Sequence, residues 1–159
     1  MADGATAYTW RRRPGTYALA LTLATPYTLA IGRLGTFAFR PGGYAYVGSA
    51  LGPGGLGARL ERHARREKRP HWHIDYLLAW ARLHSVWHLE SAERWECAWA
   101  EVLGGLPGVE TAVPGFGASD CTCRSHLFYA RDATGFAPFA RAAEALCGAS
   151  PQRTELSPG

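Results

Sequence analysis

Residues 44–63 read YAYVGSALGPGGLGARLERH and contain a predicted strand, a turn and the start of a helix. The strand is predicted over residues 44–48, because aromatic and β-branched residues favour extended structure. The Gly-Pro-Gly-Gly turn at residues 52–55 precedes a helix predicted over residues 56–68, and Pro70 helps to end that helix. The chain is therefore expected to pass directly from a strand into a helix.

Strands and helices are also predicted on both sides of this stretch. The further strands cover residues 16–24, 27–31, 36–39, 85–89 and 127–130. The further helices cover residues 74–81, 91–103 and 136–146. This order predicts an α+β (mixed α/β) fold, a small and mostly antiparallel sheet flanked by helices. Residues 15–147 are expected to form one domain, between a basic flexible arm (1–14) and a flexible tail (148–159).

The composition agrees with one small domain whose charge is carried mainly by arginine. The chain has 159 residues, enough for a single core of ordinary size. Its net charge is +4, and 16 of its 17 basic residues are arginine, the side chain whose planar fork matches a phosphate. No apolar run approaches the roughly 20 residues that a bilayer requires. A cytoplasmic protein with reduced thiols and no membrane partner is expected.

The helix predicted over residues 56–68 separates an apolar stripe from a basic face. Leu56, Leu60 and Ala64 share the stripe expected to face the core, with His63 at its border. The basic face has only Glu61 and Glu67 as counter-charges, so it resembles a phosphate footprint. Its members are Arg59, Arg62, Arg65, Arg66 and Arg69.

Three segments together resemble a known family. Gly-Thr-Tyr at 15–17, Tyr-Val-Gly at 46–48, and Arg59 with His63 on the next helix are similar to the GIY-YIG endonuclease domain. The segments GGYAYVGSALG (42–52), HWHIDYL (71–77) and PGFGASDC (114–121) resemble its small stand-alone Uri-type (DUF123) branch. The resemblance extends over about residues 15–130 and implies a small sheet flanked by helices.

The resemblance also implies a function, metal-dependent endonucleolytic hydrolysis of phosphodiester bonds in DNA. The family uses one divalent ion, commonly Mg²⁺, for which Mn²⁺ is an alternative. Its ligand is a glutamate on a later helix, and Glu96 is the best match in position. Glu96 lies between Trp95 and Trp99, so its carboxylate is expected to be partly buried and to need either a metal or an arginine as partner. The alternative function is a nucleic-acid-binding module with weak or lost catalysis.

The remaining catalytic roles follow from the chemistry of phosphodiester cleavage. Arg59 is expected to clamp the phosphate. Tyr17 is expected to act as the base or base relay and Tyr46 to orient water, with His63 sharing the proton. A phenol is a poor base unaided, so a nearby cation and the metal are expected to lower its pKa. Residues outside the catalytic set expected to contact nucleic acid are Arg62, Arg65, Arg66, Arg69, His71 and His73.

Two features leave alternatives open. The chain contains no asparagine, although many family members carry one late in the sequence; Ser119, Asp120, Ser125 or His126 is expected in its place. His71 and His73 have either a groove role or a packing role, and Asp75 is expected to be an early-turn helix acid.

The cysteines allow a third hypothesis about the function of the protein. Cys121, Cys123 and His126 form one half of a zinc-like motif, which only Cys97 or Cys147 can complete. Packed thiols are the favoured interpretation. The alternative is a structural metal-binding protein, and the oligomeric state is not predicted.

Overall fold

An antiparallel sheet with helices on both faces forms the core of the protein, as the computed structural model describes it for residues 10–119 and 121–156. The strands are β1 (Gly15–Leu23), β2 (Tyr27–Ile31), β3 (Gly35–Phe39), β4 (Gly42–Ala50), β5 (Arg82–Glu90), β6 (Glu110–Thr111), β7 (Leu127–Ala130) and β8 (Gln152–Glu155). The helices are α1 (Gly55–Ala64), α2 (His73–Leu78), α3 (Glu96–Gly104) and α4 (Phe139–Cys147), with a 3₁₀ turn at Ala133–Phe136. Within the described ranges no helix is long and apolar enough to cross a membrane. The α+β fold class is confirmed.

The main sheet has the strand order β6-β7-β4-β1-β5-β8, and β2 and β3 form a separate hairpin. Neighbouring strands of the main sheet pair antiparallel. The central strand β1 is buried on both faces. Tyr17 and Leu19 pack on the face covered by α1, α2 and the hairpin, whereas Ala18 and Ala20 pack on the face covered by α3 and α4. Both predicted site tyrosines, Tyr17 and Tyr46, therefore lie on the α1 face.

The two largest differences from the predicted helix boundaries are at the end of α1 and at the start of α3. Helix α1 ends at Ala64 and not at Lys68, because the ammonium of Lys68 donates to the carbonyls of His63 (3.1 Å) and Arg65 (2.6 Å) and caps the helix end. Helix α3 begins at Glu96 and not at Ser91. The hydroxyl of Ser91 accepts from the Glu93 amide at 3.0 Å in a local turn, so it does not cap α3.

Both terminal segments are anchored where the structure describes them, unlike the predicted flexible arm and tail. Trp10 is 7% exposed, and the carbonyls of Arg11 and Arg13 accept from amides at the start of α1, at 3.0 and 2.8 Å. These carbonyls satisfy amides that have no partner within the helix. In the tail, β8 pairs with β5, and the guanidinium of Arg153 lies 5.2 Å from the Trp87 ring centroid. Residues 1–9 of the arm and 157–159 of the tail lie outside the described residues.

Candidate active site

A pocket of about 250 Å³ lies where β4, α1 and the start of α3 meet. Tyr46, Arg59 and Glu96 of the predicted catalytic set line it. A second recess of about 240 Å³ shares Arg59 and Trp72 as walls. The two recesses therefore lie next to each other and meet at Arg59. We call this region the Arg59 groove.

Tyr17 and His63 form a buried pair behind one wall of the groove. Tyr17 lies opposite Gly48 in the β1–β4 register, and Gly48 lines the pocket. A Cβ atom on Gly48 would collide with the ring and hydroxyl of Tyr17, so only glycine lets the phenol lie across this strand. The Tyr17 hydroxyl is 2.7 Å from Nε2 of His63. His63, predicted at the border of the helix faces, is only 3% exposed.

Burial decides the protonation of this pair and of Tyr46. It raises the pKa of the Tyr17 phenol, and the opposing charge of Arg59 does not cancel the shift. It raises the pKa of Tyr46 well above the ordinary value of 10 and lowers the pKa of His63 to about 3. All three side chains are therefore uncharged at pH 7. Arg59 does lower the pKa of the Tyr17 phenol, as expected of a neighbouring cation, but desolvation outweighs its effect.

Arg59 is held in position by a carbonyl and an aromatic ring. Its Nη1 donates to the carbonyl oxygen of Ser49 at 3.0 Å. Its guanidinium carbon lies 4.3 Å from the Trp72 ring centroid, a cation–π distance. The carbonyl contact uses one of five N–H donors of the guanidinium. The remaining donors make Arg59 suitable for binding an anion in the groove.

Arg62 has a structural partner, contrary to the bare cationic face expected from the sequence. Its Nη2 donates at 2.7 Å to Oδ2 of Asp75, whose side chain is fully buried. The same oxygen accepts from the amides of His71 and Trp72 at 2.8 and 3.0 Å. Burial opposes ionisation of Asp75, but the two amides and Arg62 together hold its pKa below the ordinary value. Asp75 thus lies in the first turn of α2, as predicted.

The other three arginines expected to contact nucleic acid do not lie on the helical face that the sequence predicts for them. Because α1 ends at Ala64, Arg65, Arg66 and Arg69 do not continue its face. All three are exposed in the connection between α1 and α2. Their charges lie beside the helix end and not along one helical stripe.

The two histidines of the HWHIDYL segment have different surroundings. His71 is exposed and packs edge-on against Trp72, with ring centroids 4.8 Å apart. Nδ1 of His73 accepts from the Gly117 amide at 2.8 Å. Gly117 has a φ of +69°, and a Cβ there would lie 2.8 Å from the Tyr46 ring. This hydrogen bond links α2 to the loop that supports Tyr46.

Among the described residues that line the pocket, Glu96 is the only acidic one. It is the first residue of α3, and its side chain is 16% exposed. Oε2 lies 3.4 Å from Nδ1 of His126, so its nearest basic partner is a histidine and not the arginine considered from the sequence. As an acid in the first turn of α3, Glu96 is also stabilised by the helix dipole. Arg94, two residues earlier, also lines the pocket and was not anticipated, because residues 91–95 were predicted to be helical.

A Cys/His cluster able to bind a metal ion lies next to Glu96. One ligand atom from each member lies within 4.8 Å of every other, and the members are Cys97, Cys121, Cys123 and His126. The structure thus supplies Cys97 to the predicted half-motif, while Cys147 lies elsewhere on α4. Of the residues considered in place of the missing asparagine, His126 contacts Glu96 and Ser125 bonds to backbone of Leu127. Asp120 lies outside the described residues.

One family model matches the chain, and it covers most of the domain. The match is to the domain of unknown function DUF123, over residues 16–147. No curated protein and no solved structure is detectably similar to the chain. The matched range runs from β1 to the end of α4 and includes the catalytic candidates and the Cys/His cluster. The chain belongs to the DUF123 family.

Proposed function

We propose that the protein is a metal-dependent endonuclease that hydrolyses phosphodiester bonds in DNA. The observation that carries this proposal is that Tyr46, Arg59 and Glu96, from three different elements, line one pocket. Phosphodiester cleavage needs a group that holds the phosphate, a group that orients water, and a means of neutralising charge on the phosphoryl oxygens. An arginine, a phenol and a carboxylate able to hold a cation are suited to those three tasks.

Phosphate binding is assigned to Arg59, whose fork is oriented by Trp72 and by the Ser49 carbonyl. Arg94 adds a second positive charge to the pocket wall. Exposed Arg65, Arg66 and Arg69 lie past the end of α1 and can contact neighbouring backbone phosphates. Contacts of this kind do not depend on base sequence. These arginines therefore support a nucleic-acid strand as the class of substrate, but they do not indicate a preferred base sequence.

The donors of the pocket fit Mg²⁺ or Mn²⁺. Glu96 supplies a carboxylate, and the buried hydroxyl oxygen of Ser49, another lining residue, has no hydrogen-bond partner among the described residues. Both are hard oxygen donors, and Mg²⁺ is commonly held by one or two carboxylates while keeping several waters. When bound, such an ion supplies a Lewis acid that offsets negative charge on the phosphoryl oxygens. Glu96 and Ser49 would hold it.

Proton movement is assigned to the Tyr17–His63 pair. With its hydroxyl donating to Nε2 of His63, Tyr17 keeps lone pairs on its oxygen, but this oxygen is buried behind Gly48, so the attacking water would have to reach it past that wall of the pocket. The water gives its proton to Tyr17 while Tyr17 gives its own to His63, so no free phenolate forms. This relay requires the His63 tautomer with the proton on Nδ1. Burial is the main cause of the low pKa of His63, and the positive charges of Arg59, Lys68 and Arg62 add to it; a bound phosphate would offset the charges but not the burial. Tyr46 stays protonated and orients the water.

Cleavage of supercoiled plasmid and of duplex oligonucleotides, with Mg²⁺, with Mn²⁺ and with a chelator, tests the proposal. Wild-type protein is expected to cleave only with a divalent ion, and Glu96→Gln is expected to lose about 10²-fold or more in rate. Glu101→Gln is the matched control, because Glu101 is an exposed carboxylate on the same helix. Undiminished cleavage by Glu96→Gln would contradict the proposal. Binding without cleavage under both metals would favour the binding-module alternative.

A further inference from the structure

We propose that Cys97, Cys121, Cys123 and His126 bind one structural Zn²⁺ ion, separate from the divalent ion assigned to Glu96. Their ligand atoms already lie within 4.8 Å of one another. Tetrahedral zinc with Zn–S distances of about 2.3 Å places neighbouring ligand atoms about 3.7 Å apart. The widest spacings must shorten, and the 2.8 Å between the sulfurs of Cys97 and Cys123 must lengthen, so small side-chain movements in both directions complete the site. Three thiolates and one imidazole are a donor set typical of structural zinc.

The histidine of the cluster is fixed by the sheet and oriented by Glu96. His126 is 1% exposed; its amide donates to the carbonyl of Phe116 at 2.8 Å, and its carbonyl accepts from Val47 at 3.0 Å. Nε2 faces Sγ of Cys121 at 3.4 Å, while Nδ1 faces Oε2 of Glu96 at 3.4 Å. A metal-bound histidine commonly donates its other ring N–H to a carboxylate, which fixes its tautomer. Nε2 is therefore the zinc ligand.

The thiols are arranged for a shared cation. Cys97 lies in the first turn of α3, beside the loop that contains Cys121 and Cys123. Its Sγ is 2.8 Å from Sγ of Cys123, longer than a disulfide bond of about 2.05 Å. A Cys97–Cys123 disulfide would also leave Cys121 and His126 beside it without a role. A zinc ion uses all four side chains and relieves the crowding of the two sulfurs.

Zinc at this position ties three segments together beside the Arg59 groove. It joins the start of α3, the loop containing residues 121–123, and the residue preceding β7. Glu96 is adjacent to Cys97 in the chain, and its Oε2 lies 3.4 Å from Nδ1 of His126, close enough for the zinc-bound imidazole to orient the pocket carboxylate. Because a carboxylate has two oxygens, one can accept from His126 while the other faces the pocket.

Zinc content of the reduced, purified wild-type chain, measured by elemental analysis, is the test. One zinc per chain is expected. Replacing the zinc by Co²⁺ is expected to give the strong visible bands and thiolate charge-transfer absorption of a tetrahedral thiolate site. Cys121→Ser and Cys123→Ser are expected to lose the bound metal, whereas Cys147→Ser, which removes the cysteine outside the cluster, keeps it. Glu96→Gln is expected to keep the stoichiometry and to weaken zinc affinity about 10–100-fold.

Several results would overturn the zinc site. The wild-type results are less than one zinc per folded, reduced chain, iron bound in place of zinc, or a Co²⁺ spectrum typical of octahedral coordination. The result from the variants is a zinc loss in Cys147→Ser equal to that in the cluster variants. The wild-type measurements do not depend on whether a variant folds. They also do not depend on cleavage, so failure of the zinc site and failure of the nuclease proposal are distinguishable.

Discussion

The buried imidazole of His63 is expected to make the fold sensitive to mild acid. Burial lowers the pKa of His63 to about 3, and the positive charges of Arg59, Lys68 and Arg62 act in the same direction, while Asp75 opposes them. The imidazole is therefore neutral in the folded protein throughout the range from pH 8 to pH 4. In the unfolded chain it has an ordinary pKa of about 6.5 and takes up a proton as the pH falls.

The sign and size of the effect follow from proton linkage. Because the unfolded state binds the proton first, the free energy of unfolding decreases as the pH falls from 6.5 towards 3. At pH 5 the unfolded-state imidazole is 1.5 units below its pKa, which corresponds to a loss of about 2 kcal/mol at 1.36 kcal/mol per unit. At pH 7.5 the same contribution is close to zero.

The assay is urea-induced unfolding of wild type and His63→Gln at pH 7.5 and pH 5.0. Other titrating groups, including the Cys/His cluster, are common to both proteins, so their contributions cancel in the difference. Wild type is expected to lose about 2 kcal/mol more than His63→Gln between the two pH values. His71→Gln, which removes an exposed histidine, is the control and is expected to keep the wild-type pH dependence. Equal losses in wild type and His63→Gln, or an NMR titration of folded His63 near pH 6.5, would refute the reasoning.

Three further predictions concern stability and binding. Asp75→Asn is expected to lower the unfolding free energy by about 1–3 kcal/mol at pH 7, because the buried carboxylate accepts three hydrogen bonds. Its folded-state pKa lies below the ordinary value of 3.8, so the deficit must be smaller at pH 3; a constant deficit would contradict this. Gly48→Ala is expected to cost about 1–3 kcal/mol, and Tyr17→Leu added to it should recover part of that loss in a double-mutant cycle. Trp72→Leu is expected to weaken DNA binding by about 1 kcal/mol, roughly fivefold by fluorescence anisotropy, because it releases Arg59; unchanged affinity would exclude that role.

Local patterns predicted strands β1 to β5, strand β7 and helices α1 to α4, but not the short strands β6 and β8. The strand containing Tyr46 leads through a short turn into the helix containing Arg59, so the proximity of these two residues follows from chain connectivity alone. The start of α3 could not be predicted from the local sequence pattern. Ser91 has the side chain of a helix cap, but its hydroxyl bonds to the next turn and α3 starts five residues later. Local hydrogen bonding competes with helix initiation, and sequence pattern does not show which one wins.

The parts of the site that were missed depend on contacts between distant segments. Asp75 neutralises Arg62 from another helix, which the charge pattern of α1 alone does not reveal. Cys97 reaches Cys123 only because the start of α3 lies beside the loop preceding β7. The Cys-x-Cys spacing marked one half of that cluster. Its completion is a property of the tertiary fold.

Single-turnover cleavage of a duplex oligonucleotide by Arg59→Ala, with Mg²⁺ present, tests most directly whether the Arg59 groove is where phosphodiester bonds are cut. The account predicts a rate about 10²–10³-fold below wild type, because the guanidinium stabilises charge that develops on the phosphate. Arg141→Ala, which removes an exposed arginine from α4 on the other face of the sheet, is predicted to cleave at the wild-type rate. Cleavage by Arg59→Ala at the wild-type rate would contradict the account.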